Sequence, residues 1–277
     1  MAFEVTNLKP RIGASIRTDL DTLLSGRHAG EIRELLEVRG VLVFPGIAID
    51  DEQQLAFTRT LGQVGEGDVY RVTFEEGANG DIPVDYNLGN FFWHIDRTDL
   101  DVPPLASMLS PRKLAPWGGE TEFANTYAAY ADLSDDDKAL VDRLRVVHEV
   151  GASFRFVPNP TEEQLARWAG REPKEHPLVW HHRSGRNSLF TSTSGLKVVG
   201  MDEAEGAALL DRLMAHASKP DYVYVHPWQM GDLVLWDNTG TMHRVRDYDK
   251  TAGRLLHRTT LLGEEPVDPA KAELVTA

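Results

Sequence analysis

Five short stretches, "HPLVWHH", "NSLFTS", "YVYVHPW", "DLVLWDN" and "LLHRTTLLG", crowd the segment between residues 176 and 263. Each is too short for a stable helix, alternates or runs apolar with β-branched and aromatic residues, and is bounded by Gly, Pro, Asn or Asp, which reads as a strand. So many short strands close together must shield their edges and faces by closing into a sandwich or barrel. "VLVFPG" and "ASMLS" add strands nearer the N-terminus. Helices are expected at "AGEIRELLEVRG", with Ile32, Leu35 and Leu36 on one face and Gly40 as its stop, and at "DDEQQLAFTRTLG", with acidic residues in its first turn. "SDDDKALVDRL", with Ser134 as N-cap, "EEQLARWAG" and "MDEAEGAALLDRLMAHA" read as further helices. The fold class is therefore α+β, mainly β, with helices flanking a sandwich or barrel. Residues 65–90, rich in Gly, Asp and Pro, read as a long mobile loop, and the tail after about residue 266 reads as frayed.

The chain of 277 residues is 42% hydrophobic, enough for the core of one large domain, and shows no repeat or low-complexity tract. A net charge of −14 argues against nucleic-acid binding and against docking on an anionic membrane. There is no cysteine, which excludes disulfides, thiolate catalysis and Cys-ligated metals. No signal-peptide pattern opens the chain and no apolar run is long enough for a bilayer, so the cytoplasm is the expected compartment.

Any metal must then be held by His and carboxylate. "FFWHIDRTDL", residues 91–100, sets His94 and Asp96 two positions apart. On a strand such residues share a face, so both can converge on one ion while Ile95 faces the core. A third ligand must come from His148, His176, His181, His182, His226, His243 or His257. His243 stands out, because in "GDLVLWDNTGTMHRV" a strand delivers it past the turn residues Asp237, Asn238 and Gly240 to the end of a sheet. Two histidines and one carboxylate form the facial arrangement of non-haem Fe(II) oxygenases. Zinc is the alternative, although the H-E-x-x-H pattern common in zinc hydrolases is absent.

"RLLHRTTLLG" carries Arg254 and Arg258, four apart on one face of an expected strand, about 13 Å between their Cα atoms. The leucines around them point to burial, and buried arginines need anionic partners. An oxygenase whose co-substrate is a dicarboxylate supplies one.

From "RGVLVFPG" to "LGEEPV", the chain resembles the taurine dioxygenase/2,4-dichlorophenoxyacetate dioxygenase family of Fe(II)- and 2-oxoglutarate-dependent oxygenases. The resemblance rests on "WHID" at 93–96, "GGET" at 118–121, "WDNTGTMHR" at 236–244 and "RLLHR" at 254–258, in that order and spacing. It implies a double-stranded β-helix, or jelly-roll, in a single domain over residues 1–277. It implies that His94, Asp96 and His243 bind iron and act in catalysis, that Thr121 hydrogen-bonds a 2-oxoglutarate carboxylate, that Arg254 pairs with the distal one, and that Trp236 walls the site. Asn90 and Arg258 match positions that face the primary substrate. Arg97, beside the second ligand, is placed with them or in a surface ion pair. Residues 65–90 contain no histidine, a departure from taurine-specific members, which use one there to hold the sulfonate.

The reaction implied consumes 2-oxoglutarate and O₂, releases succinate and CO₂, and hydroxylates a C–H bond. Hydroxylation beside oxygen, nitrogen or sulfur gives an unstable product, so net cleavage can follow. With a carboxylate at Asp96, no position opens for halide. Arg258 argues for an anionic group, and Tyr70, Phe91, Phe92, Phe154 and Phe156 for an apolar or aromatic cavity. A small organic acid with an apolar body is the expected substrate: a carboxylate, an aryloxyalkanoate or a sulfonate. A non-catalytic metal-binding jelly-roll sensor and a zinc hydrolase remain the alternatives, and a homo-oligomer is left open.

Overall fold

Along Val41–Phe44 and Leu233–Asp237, successive side chains serve two different layers. Val41, Val43, Val234 and Trp236 pack with Leu109, Leu256 and Phe123. Leu42, Phe44, Leu233 and Leu235 pack instead with Ile32, Leu36, Phe57 and Leu61 from two helices. The period of two along a strand produces this division. The computed structural model describes residues 3–65 and 69–275. Its largest sheet has seven strands, in the order Glu4–Asn7, Ala14–Arg17, Val41–Phe44, Leu233–Asp237, Ala106–Lys113, Leu255–Leu261 and Tyr70–Val72. All neighbours are antiparallel except Ala14–Arg17 with Val41–Phe44.

One face of this sheet is covered by the helices Ala29–Arg39 and Asp51–Leu61. The other faces a three-stranded sheet, Val223–His226, Thr121–Asn125 and Thr241–Val245, through Phe123. The far side of that small sheet, at Ala124 and Met242, joins the largest apolar cluster, with Trp180, Phe190 and Leu213 of the helix Glu203–Ala217. The protein is thus a mixed α/β fold with two facing sheets between helical layers. Among the described residues, no helix is long and apolar enough to cross a membrane.

Local signals behave as expected at the helix ends. Asp50 and Gln53 form a reciprocal capping box, and the Ser134 side chain accepts from the Asp137 amide. Gly40 ends its helix with φ 70°, where a Cβ would sit 2.8 Å from Thr241 Cγ2, so the stop is also a close approach.

Three expectations differ. "WHID" is not a regular strand: His94 makes one isolated antiparallel bridge to His243, and the chain turns directly after Ile95-Asp96. Residues 65–90 are not one loop. Tyr70–Val72 joins the edge of the large sheet and Val84–Phe91 is a 3₁₀ segment, while residues 66–68 lie outside the described residues. The tail after 266 is packed: Val267 is buried, Asp268 pairs with Arg145 and Lys271 with Asp101, so apolar burial and ion pairs hold it. Residues 276–277 lie outside the described residues.

Candidate active site

The bridge brings the candidate ligands together. His94 N donates to His243 O at 3.0 Å, and His243 N to His94 O at 2.9 Å, so two segments about 150 residues apart run side by side. Asp96 is held by a residue whose only sequence signal was a turn. Asn238, fully buried, accepts from Asp96 N at 2.8 Å and donates to Asp96 O at 3.1 Å and Pro104 O at 3.0 Å. Gly240 completes that turn; a Cβ there would lie 1.7 Å from the Tyr127 ring, so no other residue fits.

His94 Nε2 and His243 Nε2 each lie 3.8 Å from Asp96 Oδ1, beyond hydrogen-bonding distance. The three groups offer ligand atoms that all lie within 4.8 Å of one another. His94 Nδ1 is 2.8 Å from Phe92 O, and a carbonyl only accepts, so that nitrogen carries the proton and Nε2 presents a lone pair. Burial pushes both imidazoles toward the neutral form, against the pull of Asp96. Burial also acts to raise Asp96, but Arg258, His243 and His94 together outweigh it and hold the carboxyl at about 2. Two neutral imidazoles and a carboxylate, facing one another without mutual hydrogen bonds, are a donor set that fits a divalent cation.

Two cavities flank His94. The narrow one, 40 Å³, is lined by Thr121, Trp236, His243, Tyr248 and Arg254. Arg254 is 4% exposed, donates to Gly119 O at 2.9 Å and lies 4.8 Å over the Tyr248 ring. It pairs with no acidic side chain among the described residues, and burial lowers its pKa from the ordinary value. The "GGET" glycines are explained here. At Gly119, φ 77°, a Cβ would meet Arg254 Nε at 2.9 Å; at Gly118, φ 68°, it would meet Asp247 O at 2.0 Å. Thr121 is buried, and its Oγ1 accepts from Trp228 Nε1 at 2.9 Å. Trp236 is buried with its ring 4.7 Å from that of His243.

The wider cavity, 320 Å³, is lined by Tyr70, Tyr86, Phe154, Asp96, Arg97 and Arg171 among others. His94, Asn87, Asn90 and Arg258 line both. Arg254 lies just outside the strand Leu255–Leu261, and a register shift follows it, yet both arginines reach the narrow cavity. Arg258 has a partner that sequence reasoning missed: its Nη1 is 3.3 and 3.4 Å from the two Asp96 oxygens, and it lies 5.0 Å over the Tyr70 ring. Its Nε is buried without a hydrogen-bond partner among the described residues.

Some expected residues stand elsewhere. Arg97, φ 59°, is half-exposed and pairs with Asp99 at 2.9 Å, so it marks the cavity mouth through a surface ion pair. Phe91, Phe92 and Phe156 line a separate surface groove, because the chain at 91–92 turns them away from Tyr70 and Phe154. The remaining histidines have other partners: His148 with Ser194, His176 with Thr98 O, His181 with Asn187, His182 with Glu265, His226 with Asp232 and His257 with Asp51.

Comparison with known proteins agrees with this geometry. The family model described as "Taurine catabolism dioxygenase TauD, TfdA family" matches residues 4–260. The chain is 36% identical over 264 residues to the alpha-ketoglutarate-dependent 2,4-dichlorophenoxyacetate dioxygenase of Burkholderia sp. (strain RASC), covering 88% of this chain and 89% of that protein. It is 34% identical to the enzyme of the same name from Cupriavidus pinatubonensis (strain JMP 134), covering 96% of this chain and all of that one (100%). The crystal structure of AAD-2 in complex with Mn(II) and N-oxalylglycine superposes with a TM-score of 0.85 at 35% identity, covering 96% of this chain and 100% of that one. The chain belongs to the TauD/TfdA family and is an Fe(II)- and 2-oxoglutarate-dependent dioxygenase.

Proposed function

We propose that the enzyme hydroxylates a C–H bond of a small anionic organic substrate with an apolar body, aryloxyalkanoates being the first class to test and other carboxylates and sulfonates the next. The observation that carries this reading is the 320 Å³ cavity beside His94 and Asp96, which combines the rings of Tyr70, Tyr86 and Phe154 with the guanidinium of Arg258. The relatives named above act on 2,4-dichlorophenoxyacetate, a carboxylate on an aromatic ether, and that chemistry matches an aromatic wall with a cation at one end. We read the two facing sheets as a double-stranded β-helix within one domain, and place the enzyme in the cytoplasm.

His94 Nε2, Asp96 and His243 Nε2 hold Fe(II) in this proposal. With 2-oxoglutarate and O₂, the metal supplies the oxidant for hydroxylation, and succinate and CO₂ are released. Arg254 receives the distal carboxylate of 2-oxoglutarate, Thr121 donates to a carboxylate oxygen, and Trp236 packs against His243 and keeps water from that side. Asn90 lies between the two cavities and orients the substrate. Arg258 divides its guanidinium between Asp96 and the substrate anion, and Arg97 marks the mouth.

The test is succinate release with Fe(II), 2-oxoglutarate and O₂ against carboxylates, sulfonates and aryloxy acids, each beside its neutral amide or ester. An acid is expected to stimulate turnover most. Arg258→Gln is expected to narrow the preference for the acid over its amide more than it lowers substrate-free succinate formation. A best substrate that is neutral would remove the anionic reading.

A further inference from the structure

Trp228 does not line the narrow cavity itself but hydrogen-bonds a residue that does. Its Nε1 lies 2.9 Å from Thr121 Oγ1. An indole N–H can only donate, so the direction of this bond is fixed and Thr121 is the acceptor. The threonine hydroxyl has a single proton, which now has no use toward Trp228. The structure shows no other hydrogen-bond partner for Oγ1 among the described residues, and Thr121 lines the cavity with Arg254 and His243.

The indole is itself held in place. His226 meets its ring edge-to-face, with centroids 4.5 Å apart and planes at 90°. His226 Nε2 lies 3.1 Å from Asp232 Oδ2, and Nδ1 lies 3.1 Å from the Tyr224 hydroxyl. Asp232 in turn accepts from the Gln229 amide at 3.0 Å and lies 3.4 Å from the Gly46 amide, which ties it to the turn after Val41–Phe44. His226 is the register partner of Thr121 across the small sheet, and Trp228 follows two residues after that strand ends.

We infer that Trp228 is a positioning residue for 2-oxoglutarate: by donating to Thr121 Oγ1, it turns the threonine hydroxyl proton into the narrow cavity, where it donates to a carboxylate oxygen of the co-substrate. The inference rests on the proposed role of Thr121. Without the indole N–H, Thr121 keeps its hydroxyl but loses its fixed direction. The carboxylate then meets a rotor that must be ordered on binding.

The experiment is a double-mutant cycle read by calorimetric binding of N-oxalylglycine to the Mn(II)-loaded protein. Thr121→Val removes the proposed donor, and Trp228→Phe removes the N–H. Each is expected to weaken binding about three- to tenfold, the size of one neutral hydrogen bond. The double variant is expected to bind no more weakly than Thr121→Val alone, because the indole acts through the hydroxyl. In steady state, Trp228→Phe should raise the KM for 2-oxoglutarate and leave kcat within about twofold. Where Trp228→Phe does not fold, β-(3-benzothienyl)alanine at position 228 keeps the ring's shape and removes the N–H, giving the same comparison. Additive losses, or unchanged affinity in Trp228→Phe, would overturn the inference and leave the role of Thr121 standing. Unchanged affinity in Thr121→Val would overturn the role of Thr121 itself, and the inference with it.

Discussion

Replacing Arg254 by methionine should leave the ligand-free protein at least as stable and its proposed co-substrate site useless. Arg254 is 4% exposed, donates to the Gly119 carbonyl at 2.9 Å and has the Tyr248 side chain as a further polar neighbour, but pairs with no carboxylate among the described residues. Burial lowers its pKa, and the charge and side-chain hydrogen bond of Tyr248 offset only part of that cost. Replacing buried ionic groups with apolar ones of similar volume is neutral or gains about 1–4 kcal/mol. Leaving the Gly119 carbonyl unpaired returns about 1 kcal/mol of that. We predict a net change for Arg254→Met between about zero and a gain of 3 kcal/mol, which raises the melting temperature by up to roughly 10 °C in a chain of this size. Binding moves the other way. Loss of the charge-assisted partner of a desolvated carboxylate costs about 2–5 kcal/mol, or about 30-fold to a few thousandfold in Kd. The assay is thermal unfolding with and without Mn(II) and N-oxalylglycine, followed by calorimetric titration. A ligand-free protein that melts several degrees lower than wild type would refute the idea that this arginine, which lacks a carboxylate partner, is a burden in the fold. N-oxalylglycine affinity within about threefold of wild type would refute its role as the carboxylate partner.

Single alanine substitutions at His94, Asp96 and His243 are each expected to abolish Fe(II) binding and turnover while unfolding still proceeds in one cooperative step; full iron-dependent turnover in His243→Ala would remove it from the triad. Asn238→Ala breaks three part-buried hydrogen bonds, two to the Asp96 backbone and one to Pro104 O. It should lower stability by about 2–4 kcal/mol and metal affinity by about 10- to 100-fold, so unaltered Mn(II) affinity would limit Asn238 to a folding role. His148 and His176 are buried and depressed to about 3 and about 4, chiefly by burial. Both stay neutral in the fold and take up protons when unfolded below about pH 6.5, so stability is full above that pH and falls as the pH drops toward 4, each contributing a slope of about 1.4 kcal/mol per pH unit. Melting temperatures from pH 7 to 4.5 should show that decline, with a shallower slope in His148→Gln; the same slope in both proteins would place the acid sensitivity elsewhere.

The parts of this protein legible in the sequence are those whose cause is local. Capping at Asp50 and Ser134, the stop at Gly40 and the alternation along "VLVF" and "LVLWD" depend on neighbours within a few residues. Their elements formed where expected. His94, Asp96, His243, Thr121 and Arg254 could be named as site candidates too, because few residue types can hold a metal or grip a buried carboxylate, and the structure sets the first three together with Thr121 and Arg254 lining the cavity beside them. The tertiary structure decided what depends on register and long-range pairing. "WHID" has the alternation of a strand, but its hydrogen bonds come from Asn238, from Thr193 and from one bridge to His243, about 150 residues away, rather than from a ladder. Arg258 could be placed on a face from its spacing, yet only the fold set Asp96 within 3.3 Å of it. The aromatics offered no signal to divide them between the wider cavity and the surface groove, since an aromatic side chain is apolar on any side of a turn. Trp228 is half-buried in a short "HPWQMG" stretch with no motif to mark it. Its donor-only N–H acquires meaning when the small sheet brings Thr121 within reach, 107 residues earlier in the chain. Residue chemistry limits which groups can act, and the pairing of distant strands determines which of them meet.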